Sequence, residues 1–429
     1  MEFSSLPGFR EFYPDELALR NHIFSAWREV AARHGFVEYD GPPLEPLEIY
    51  KRKSGQEIVG QLYRFSDQGG REVALRPEMT PTFARMITAR AAALPKPIRW
   101  FSIPQLFRYE RPQRGRLREH FQLNMDIVGE TDPLADAELV AAGLESLRAL
   151  GLTAEHIVAR VSDRSLIGGV LVALGVPDEG RLAVFAALDK LNRENNDWVR
   201  ERLAEAGADE DAVEGILALA DATLQSLAAD YGDSEQVGAA IDRLEHFFAH
   251  MEAFGLEEFV TFDPVLVRGL AYYTGMVFEV WERSGRLRAI CGGGRYDDLL
   301  AALGGVDLPS VGFGMGDVVL GELLRDLDLI PDVSVTVQDF IVCVSPAERA
   351  RGLDLAMSLR SQGRRVAYDL RERSVRRQLK AAAQTGAERA IILGPDELER
   401  DVAVVRSLAS GEEEEVSLAS LTGAESMDP

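Results

Sequence analysis

The stretch Phe107-Arg108-Tyr109-Glu110-Arg111-Pro112-Gln113-Arg114-Gly115-Arg116-Leu117-Arg118-Glu119-His120-Phe121-Gln122 holds the densest chemistry in the chain. An arginine on a predicted strand, a carboxylate two residues on, a basic loop with Pro112 and Gly115, and a returning strand make an arginine-lined hairpin. Side chains alternate along a strand, so Arg108 and Glu110 are expected on one face. Guanidinium groups bind phosphate oxygens in forked geometry, so that face suits a nucleotide. One Arg-x-Glu alone would be ordinary surface charge; the density here favours a binding face.

The elements around this hairpin follow from periodicity. Leu17, Leu19, Ile23, Trp27, Val30 and Ala31 recur at helical spacing from Asp15 to His34, with Gly35 as C-cap. Strand-like pieces follow at 36–39, 62–65, 73–76, 98–101, 105–109 and 121–128, which suggests an antiparallel sheet. From about Pro133 the chain turns helical, and residues 182–256, rich in Ala, Leu, Glu and Asp, read as a helical insertion. Strands return at 277–280 and 287–290. The Gly-rich peptides Gly292-Gly293-Gly294 and Gly312-Phe313-Gly314-Met315-Gly316 read as turns that let strands and substrate approach closely. They lack the βαβ context of a dinucleotide loop.

Pro331 marks a linker. Beyond it come a strand at 340–344, a helix at 347–362, a strand at 365–368, a helix at 374–385 and a strand at 390–394, a small α/β domain with a mostly parallel sheet. Glu412 to Glu415 read as a hairpin tip, and the last residues as frayed. The fold class is therefore α+β, an antiparallel sheet flanked by helices, divided as 1–181, 182–256 (insertion), 257–330 and 335–423.

Composition narrows the function. Of 429 residues, 46% are hydrophobic and 27% charged, as in a globular protein with an ordinary core. Cys291 and Cys343 form no paired pattern, which fits a reducing cytoplasm. No apolar run is long enough to span a bilayer, and the first residues do not read as a signal peptide. A net charge of −23 argues against nonspecific coating of nucleic acid but leaves room for local basic surfaces. Two stretches qualify: Arg99, Arg108, Arg111, Arg114, Arg116 and Arg118, then Arg360, Arg364, Arg365, Arg371, Arg373, Arg376, Arg377 and Lys380. His246 and His250, four apart on a helix without an evident third ligand, are read as surface or packing residues.

The 107–122 string resembles the second signature motif of class II aminoacyl-tRNA synthetases, in the form typical of histidyl-tRNA synthetases. Leu6 to Pro14 resembles that family's opening, and Gly35 to Glu45, with Pro42, its first motif. Leu75-Arg76-Pro77-Glu78-Met79-Thr80 resembles the strand and turn that hold the substrate's amino group. Leu266 to Gly275 and Cys291 to Asp297 resemble two further family peptides, and the C-terminal α/β region resembles its anticodon-binding domain.

The resemblance implies ATP-dependent ligation of histidine to tRNA(His), with Mg²⁺ bridging the phosphates and Glu110 near the nucleotide. It assigns the α-amino group to Glu78 and Gln122 with Thr80 nearby, and the imidazole nitrogens to Asp126 and Tyr273, with Tyr272 beside them. Arg108 and Arg268 would clamp the α-phosphate and the histidine carboxylate, which makes them the expected catalytic pair. Arg116 and His120 would also contact ATP; His120 stands where the family more often has a stacking Phe, and Phe121 would serve if the register shifts. A homodimer is implied, with Glu45 and the apolar residues around Pro42 and Pro43 at its interface.

Further positions depart from the family. Ala271 replaces an Asp, and Asp126 a Glu. Val318-Val319 replaces the Glu-Arg pair of the third motif, removing a cation from the ATP site. Either another cation, Arg295 or Arg286, covers for it, or adenylation is weak or absent. The alternative reading is a non-catalytic relative such as the regulatory subunit of ATP phosphoribosyltransferase; Arg268 and the C-terminal domain stand against it.

Overall fold

The computed structural model describes residues 4–51, 60–191, 195–268, 272–331 and 337–423. Ala271 and the final residues read as frayed lie outside them. The chain forms two compact units that divide between Ile330 and Pro331.

The first unit contains strands β1 (Val37–Glu38), β2 (Leu44–Pro46), β3 (Arg64–Ser66), β4 (Glu72–Leu75), β5 (Ile98–Ser102), β6 (Gln105–Phe107), β7 (Glu119–Val128), β8 (Ile157–Asp163), β9 (Val260–Phe262), β10 (Met276–Glu282), β11 (Cys291–Arg295) and β12 (Ser310–Gly316). The main sheet runs β1-β5-β7-β12-β11-β10-β8-β9, with β6 paired to β7. Its six central strands pair antiparallel, and only the edge strands β1 and β9 pair parallel. β2, β4 and β3 form a separate small sheet.

Alternation along β7 sorts its two faces. Leu123, Met125 and Ile127 are fully buried in the main core, whereas Gln122, Asn124 and Asp126 point to the other side and line a cavity. Several helices cover the core face, and two of them show how. Helix Pro14–Arg33 buries Leu19, Ile23, Phe24, Trp27, Val30 and Ala31, the apolar positions expected from its spacing. Helix Pro133–Arg148 starts where the Asp132 carboxylate accepts from the Leu134 amide at 2.8 Å. Full burial of each large apolar side chain contributes about 1.5–3 kcal/mol, so this cover fixes which face of β7 is left for the cavity.

From Asp178 to Ala253 the described residues make five helices and a short 3-10 turn. The last of them, Glu235–Ala253, buries Leu244, Phe247 and Met251 and reaches the main sheet through Arg243, whose guanidinium lies 3.1 Å from Asp163 at the end of β8. His246 on this helix is exposed and His250 half-buried; among the described residues no cluster of metal-binding side chains forms.

The second unit has strands β13 (Asp339–Cys343), β14 (Val366–Tyr368), β15 (Arg389–Leu393), β16 (Val402–Ser407) and β17 (Glu413–Ser417), ordered β14-β13-β15-β16-β17. β14, β13 and β15 are parallel and the last two strands antiparallel, so the sheet is mixed. Buried Asp339 pairs with both Arg364 and Arg389.

Several local expectations need correction. Residues 287–290 are a connection and the strand is Cys291–Arg295, so the Gly-rich peptides are central strands and not turns. β8 occurs in a region read as helical, and β9 just after the insertion went unread. Glu413 to Glu415 belong to edge strand β17, where Glu413 and Glu415 pair with Arg406 and Arg400; only Glu412 stays in the turn. Glu45 is buried within its own chain, bound by Thr82 Oγ1 at 3.0 Å and Arg85 at 2.6 Å, while Pro42, Pro43 and Leu44 are exposed.

Candidate active site

The uncovered side of the sheet carries two cavities. The smaller, about 340 Å³, is lined by Gln61, Pro77, Glu78, Thr80, Asn124, Asp126, Tyr272, Tyr273, Tyr296, Gly312 and Phe313 among others. The larger, about 630 Å³, is lined by Gly115, His120, Glu279, Trp281, residues 286–291, Gly316, Val318 and Val319. Both include Arg108, Glu110, Arg116, Gln122, Arg268, Gly292 and Gly314 in their walls, so these residues stand where one cavity meets the other.

The polar end of the smaller cavity is built on β7 and its neighbours. The Tyr296 hydroxyl donates to Asp126 Oδ1, fixing the carboxylate. Asn124 donates to the Gln122 carbonyl at 3.0 Å. Glu78 and Thr80 sit where β4 gives way to helix Thr80–Arg90. Burial raises the Tyr272 phenol, helped by the Glu78 charge, so it stays a neutral hydrogen-bonding group.

Bare glycines make room for these side chains. A Cβ on Gly312 would fall 2.0 Å from Asp126 Oδ1, one on Gly314 2.7 Å from the Gln122 amide, and one on Gly292 1.7 Å from Arg268 Nη1. Glycine inside a strand weakens it, and here the lost packing is the space in which three side chains of the candidate site lie.

At the junction, Arg108 Nε donates to the Pro77 carbonyl at 3.0 Å, and no carboxylate pairs with its guanidinium among the described residues. Although β6 ends at Phe107, Arg108 and Glu110 both line the cavities. Glu110 is held by Arg116. Arg268 has a φ of 44°, a conformation that costs non-glycine residues on the order of 1–3 kcal/mol and tends to occur at ligand clamps. Arg164 supports this backbone by donating to the Val267 and Arg268 carbonyls at 3.3 Å. Arg268 Nη1 donates to the Phe278 carbonyl at 3.2 Å and lies 3.5 Å from Glu279. Burial alone would lower its pKa, but Tyr273 and Glu279 outweigh it, so Arg268 remains a cation.

The nucleotide-sized cavity separates His120 from Phe121. His120 lines it; burial, with the charges of Arg108 and Arg10, pushes its imidazole down to about 3, leaving a neutral ring. Phe121 points to the other face, 5.2 Å from the Phe24 ring and 6.2 Å from Phe12, so its expected contact with ATP is corrected by strand parity. Behind it, Arg10 bonds Glu119 at 2.6 Å and Asp317 at 2.9 Å, and the Asp317 carboxylate accepts from the Phe121 amide.

Most other arginines of the first basic stretch are structural. Arg99 pairs with Glu138, Arg114 with Glu322 and Asp326, and Arg118 bonds the Glu110 carbonyl and covers the Tyr109 ring. Of the two cations expected to replace the one missing at Val319, Arg295 is excluded. It is buried against Asp136 and bonds the Glu130 carbonyl, away from both cavities. Arg286 does line the larger cavity. Sequence reading missed Tyr296, Glu279 and Arg288; Tyr296 at least lies inside a peptide already singled out, and an acid in apolar β10 was a signal for Glu279. Cys291 is buried and its thiol is pushed up by that burial, which leaves no thiolate nucleophile.

Comparison with known proteins adds an independent line. Residues 8–316 match the protein-family model for histidyl-tRNA synthetase, and residues 338–424 that for an anticodon binding domain. The chain is 46% identical over 419 residues to the histidine–tRNA ligase of Opitutus terrae, covering 96% of each. It is 40% identical to the chloroplastic/mitochondrial histidine–tRNA ligase of Arabidopsis thaliana, covering 96% of this chain and 85% of that one. In fold it resembles histidyl-tRNA synthetase from Nostoc sp. PCC 7120, with a TM-score of 0.85, 24% identity and 99% coverage of both chains. It also resembles an ATP phosphoribosyltransferase regulatory subunit/histidyl-tRNA synthetase from Bacillus halodurans, with a TM-score of 0.76, 21% identity and coverage of 92% and 99%.

Proposed function

The chain belongs to the histidyl-tRNA synthetase family, and from that premise we propose how its joined cavities carry out the reaction. The activity is that of an ATP-dependent histidine–tRNA ligase. The observation that carries the site assignment is the shared wall: Arg108 and Arg268 stand between a small polar pocket and a larger, arginine-lined one.

Histidine occupies the smaller cavity. Glu78 and Gln122, with Thr80, accept hydrogen bonds from its ammonium, which only donates. Asp126, held by Tyr296, takes one imidazole N–H, and the Tyr273 hydroxyl, next to Tyr272, meets the other nitrogen. The histidine carboxylate then lies between Arg108 and Arg268, against the α-phosphate of ATP in the larger cavity. A carboxylate oxygen attacks the α-phosphorus, the bond to the bridging oxygen of the β-phosphate breaks, and pyrophosphate leaves. Two fixed guanidiniums oppose the charge that develops on the phosphoryl oxygens. In the second step a terminal ribose hydroxyl of tRNA attacks the adenylate carbonyl, loses its proton, and AMP departs.

His120, neutral at working pH, stacks on adenine without adding repulsion to the neighbouring arginines. Arg116 positions Glu110 beside the phosphates. Glu110 and Glu279, acids in the larger cavity, are each engaged by a guanidinium; Glu110 would help to hold Mg²⁺, and the ion would supply neutralising charge to the phosphates of ATP. In the second unit, Arg371, Arg376, Arg377 and Lys380 are exposed without a carboxylate partner among the described residues, which suits phosphates of the anticodon stem. A cytoplasmic homodimer completes the reading, with exposed Pro42, Pro43 and Leu44 at its interface.

Val319, a wall residue of the larger cavity, and Ala271 in the sequence favour a regulator without ligase activity. Identity of 46% and 40% to ligases, against a fold likeness at 21%, weighs the other way. Histidine-dependent exchange of pyrophosphate into ATP decides. The wild type is expected to exchange and Arg268→Ala to lose exchange while staying folded. Exchange surviving in Arg268→Ala overturns the clamp; no exchange in the wild type, with histidine binding kept, points to the regulator.

A further inference from the structure

The larger cavity must hold a triphosphate, yet most of its positive charge is already matched. Arg116 is bound by Glu110, Arg268 shares Glu279, and Arg286 lies 3.9 Å from Glu282 and bonds Ser284. Helix Asp317–Asp326 contributes only the apolar Val318 and Val319 to the wall, and its acids Glu322 and Asp326 are tied to Arg114. Besides Arg108, which stands at the junction of the two cavities, one guanidinium is unmatched. Arg288, on the connection between β10 and β11, is exposed, lines this cavity, and has no carboxylate within ion-pair distance among the described residues.

We infer that Arg288 is the cation that binds the β- and γ-phosphates of ATP and so fills the part left by Val319. This deepens the proposed function and rests on it. Arg288 lines the larger cavity but not the smaller, whereas Arg108 and Arg268 line both. It therefore faces a portion of the nucleotide remote from histidine, and of the two such portions its charge matches the anionic pyrophosphate rather than the uncharged adenosine. Its charge also reaches Arg116, whose pKa is lowered by burial and then by Arg288 and Arg108. Three guanidiniums close enough to repel one another are a site that an anion relieves.

Calorimetry on the full chain tests this without turnover. Arg288→Gln is expected to weaken MgATP binding roughly 10- to 100-fold, the worth of one charge-assisted bond, and to leave AMP binding unchanged. Arg286→Gln, whose arginine already has partners, is expected to change ATP binding less. Arg288→Lys should recover part of the loss, and Val319→Arg placed in the Arg288→Gln chain should recover more, since Val319 lines the same cavity. Unchanged MgATP affinity in Arg288→Gln, or equal losses for ATP and AMP, overturns the inference. Failure of the functional reading shows separately, as absent pyrophosphate exchange in the wild type.

Discussion

Adding one carbon at Gly292 offers a direct test of the clamp. Its Cβ would stand 1.7 Å from Arg268 Nη1 and 2.8 Å from Cζ, with no backbone atom among its three nearest neighbours. Ordinary contact begins near 3.4 Å, so the guanidinium must retreat by about 1.7 Å. In retreating it gives up its bond to the Phe278 carbonyl and its approach to Glu279. The strand itself is spared, because Gly292 pairs with Glu279 and Gly314 through the main chain. A displacement of about 1 Å in a positioning group can cost about 100-fold in rate. Gly292→Ala is therefore expected to lose about 100-fold in pyrophosphate exchange, while overpacking costs no more than about 1–3 kcal/mol of stability. Exchange kinetics at saturating histidine and ATP, beside a urea melt, separate the two effects. Undiminished exchange in a folded Gly292→Ala chain would refute the reasoning, since the arginine could not have been needed where it lies.

Four further outcomes are expected. Tyr296→Phe removes the donor to Asp126 and should raise KM for histidine about 10-fold, leaving KM for ATP unchanged in the same exchange assay. Asp136→Asn leaves buried Arg295 only the Glu130 carbonyl and Asp297 at 3.4 Å, and should cost about 3 kcal/mol in urea unfolding. Because His120 is held at about 3 against 6.5 when unfolded, its contribution to stability is full above pH 6.5 and falls as pH drops towards 3. Urea midpoints of His120→Phe should be flatter than wild type across that window. Burial would raise the Asp339 carboxyl, but bonds from Arg364 and Arg389 bring it below its ordinary 3.8; its stabilisation is present above pH 3.8 and lost as pH falls through its folded value. Hydrogen exchange of β13 and β15 should report that acid loss in the wild type and its absence in Asp339→Asn.

Much of the catalytic fold was legible because its signals are local. The helix over Leu19 to Ala31 declares itself by spacing, and β7 by alternation that put Gln122 and Asp126 on one face. The same alternation ruled out Phe121 once the register was known, since adjacent residues cannot share a face. What stayed hidden depends on partners distant in sequence. Arg295 is taken by Asp136, 159 positions away, and Glu45 by Arg85, 40 positions away; nothing near either residue announces this. The glycines of β11 and β12 looked like turns because a strand that gives up its side chains to accommodate others carries no hydrophobic pattern of its own. Arg288 went unnoticed because residues 287–290 were read as a strand, and nothing local shows that they connect two strands beside a cavity.

The Arg10 bridge bears on how two buried acids are tolerated. Glu119 and Asp317 come from elements almost two hundred residues apart, are almost wholly buried, and are reconciled by a guanidinium ten residues from the start of the sequence. Gly8 adds a main-chain bond to Arg118 on the same hairpin. Losing Arg10 from this strap would leave two buried acids facing each other beside Phe121.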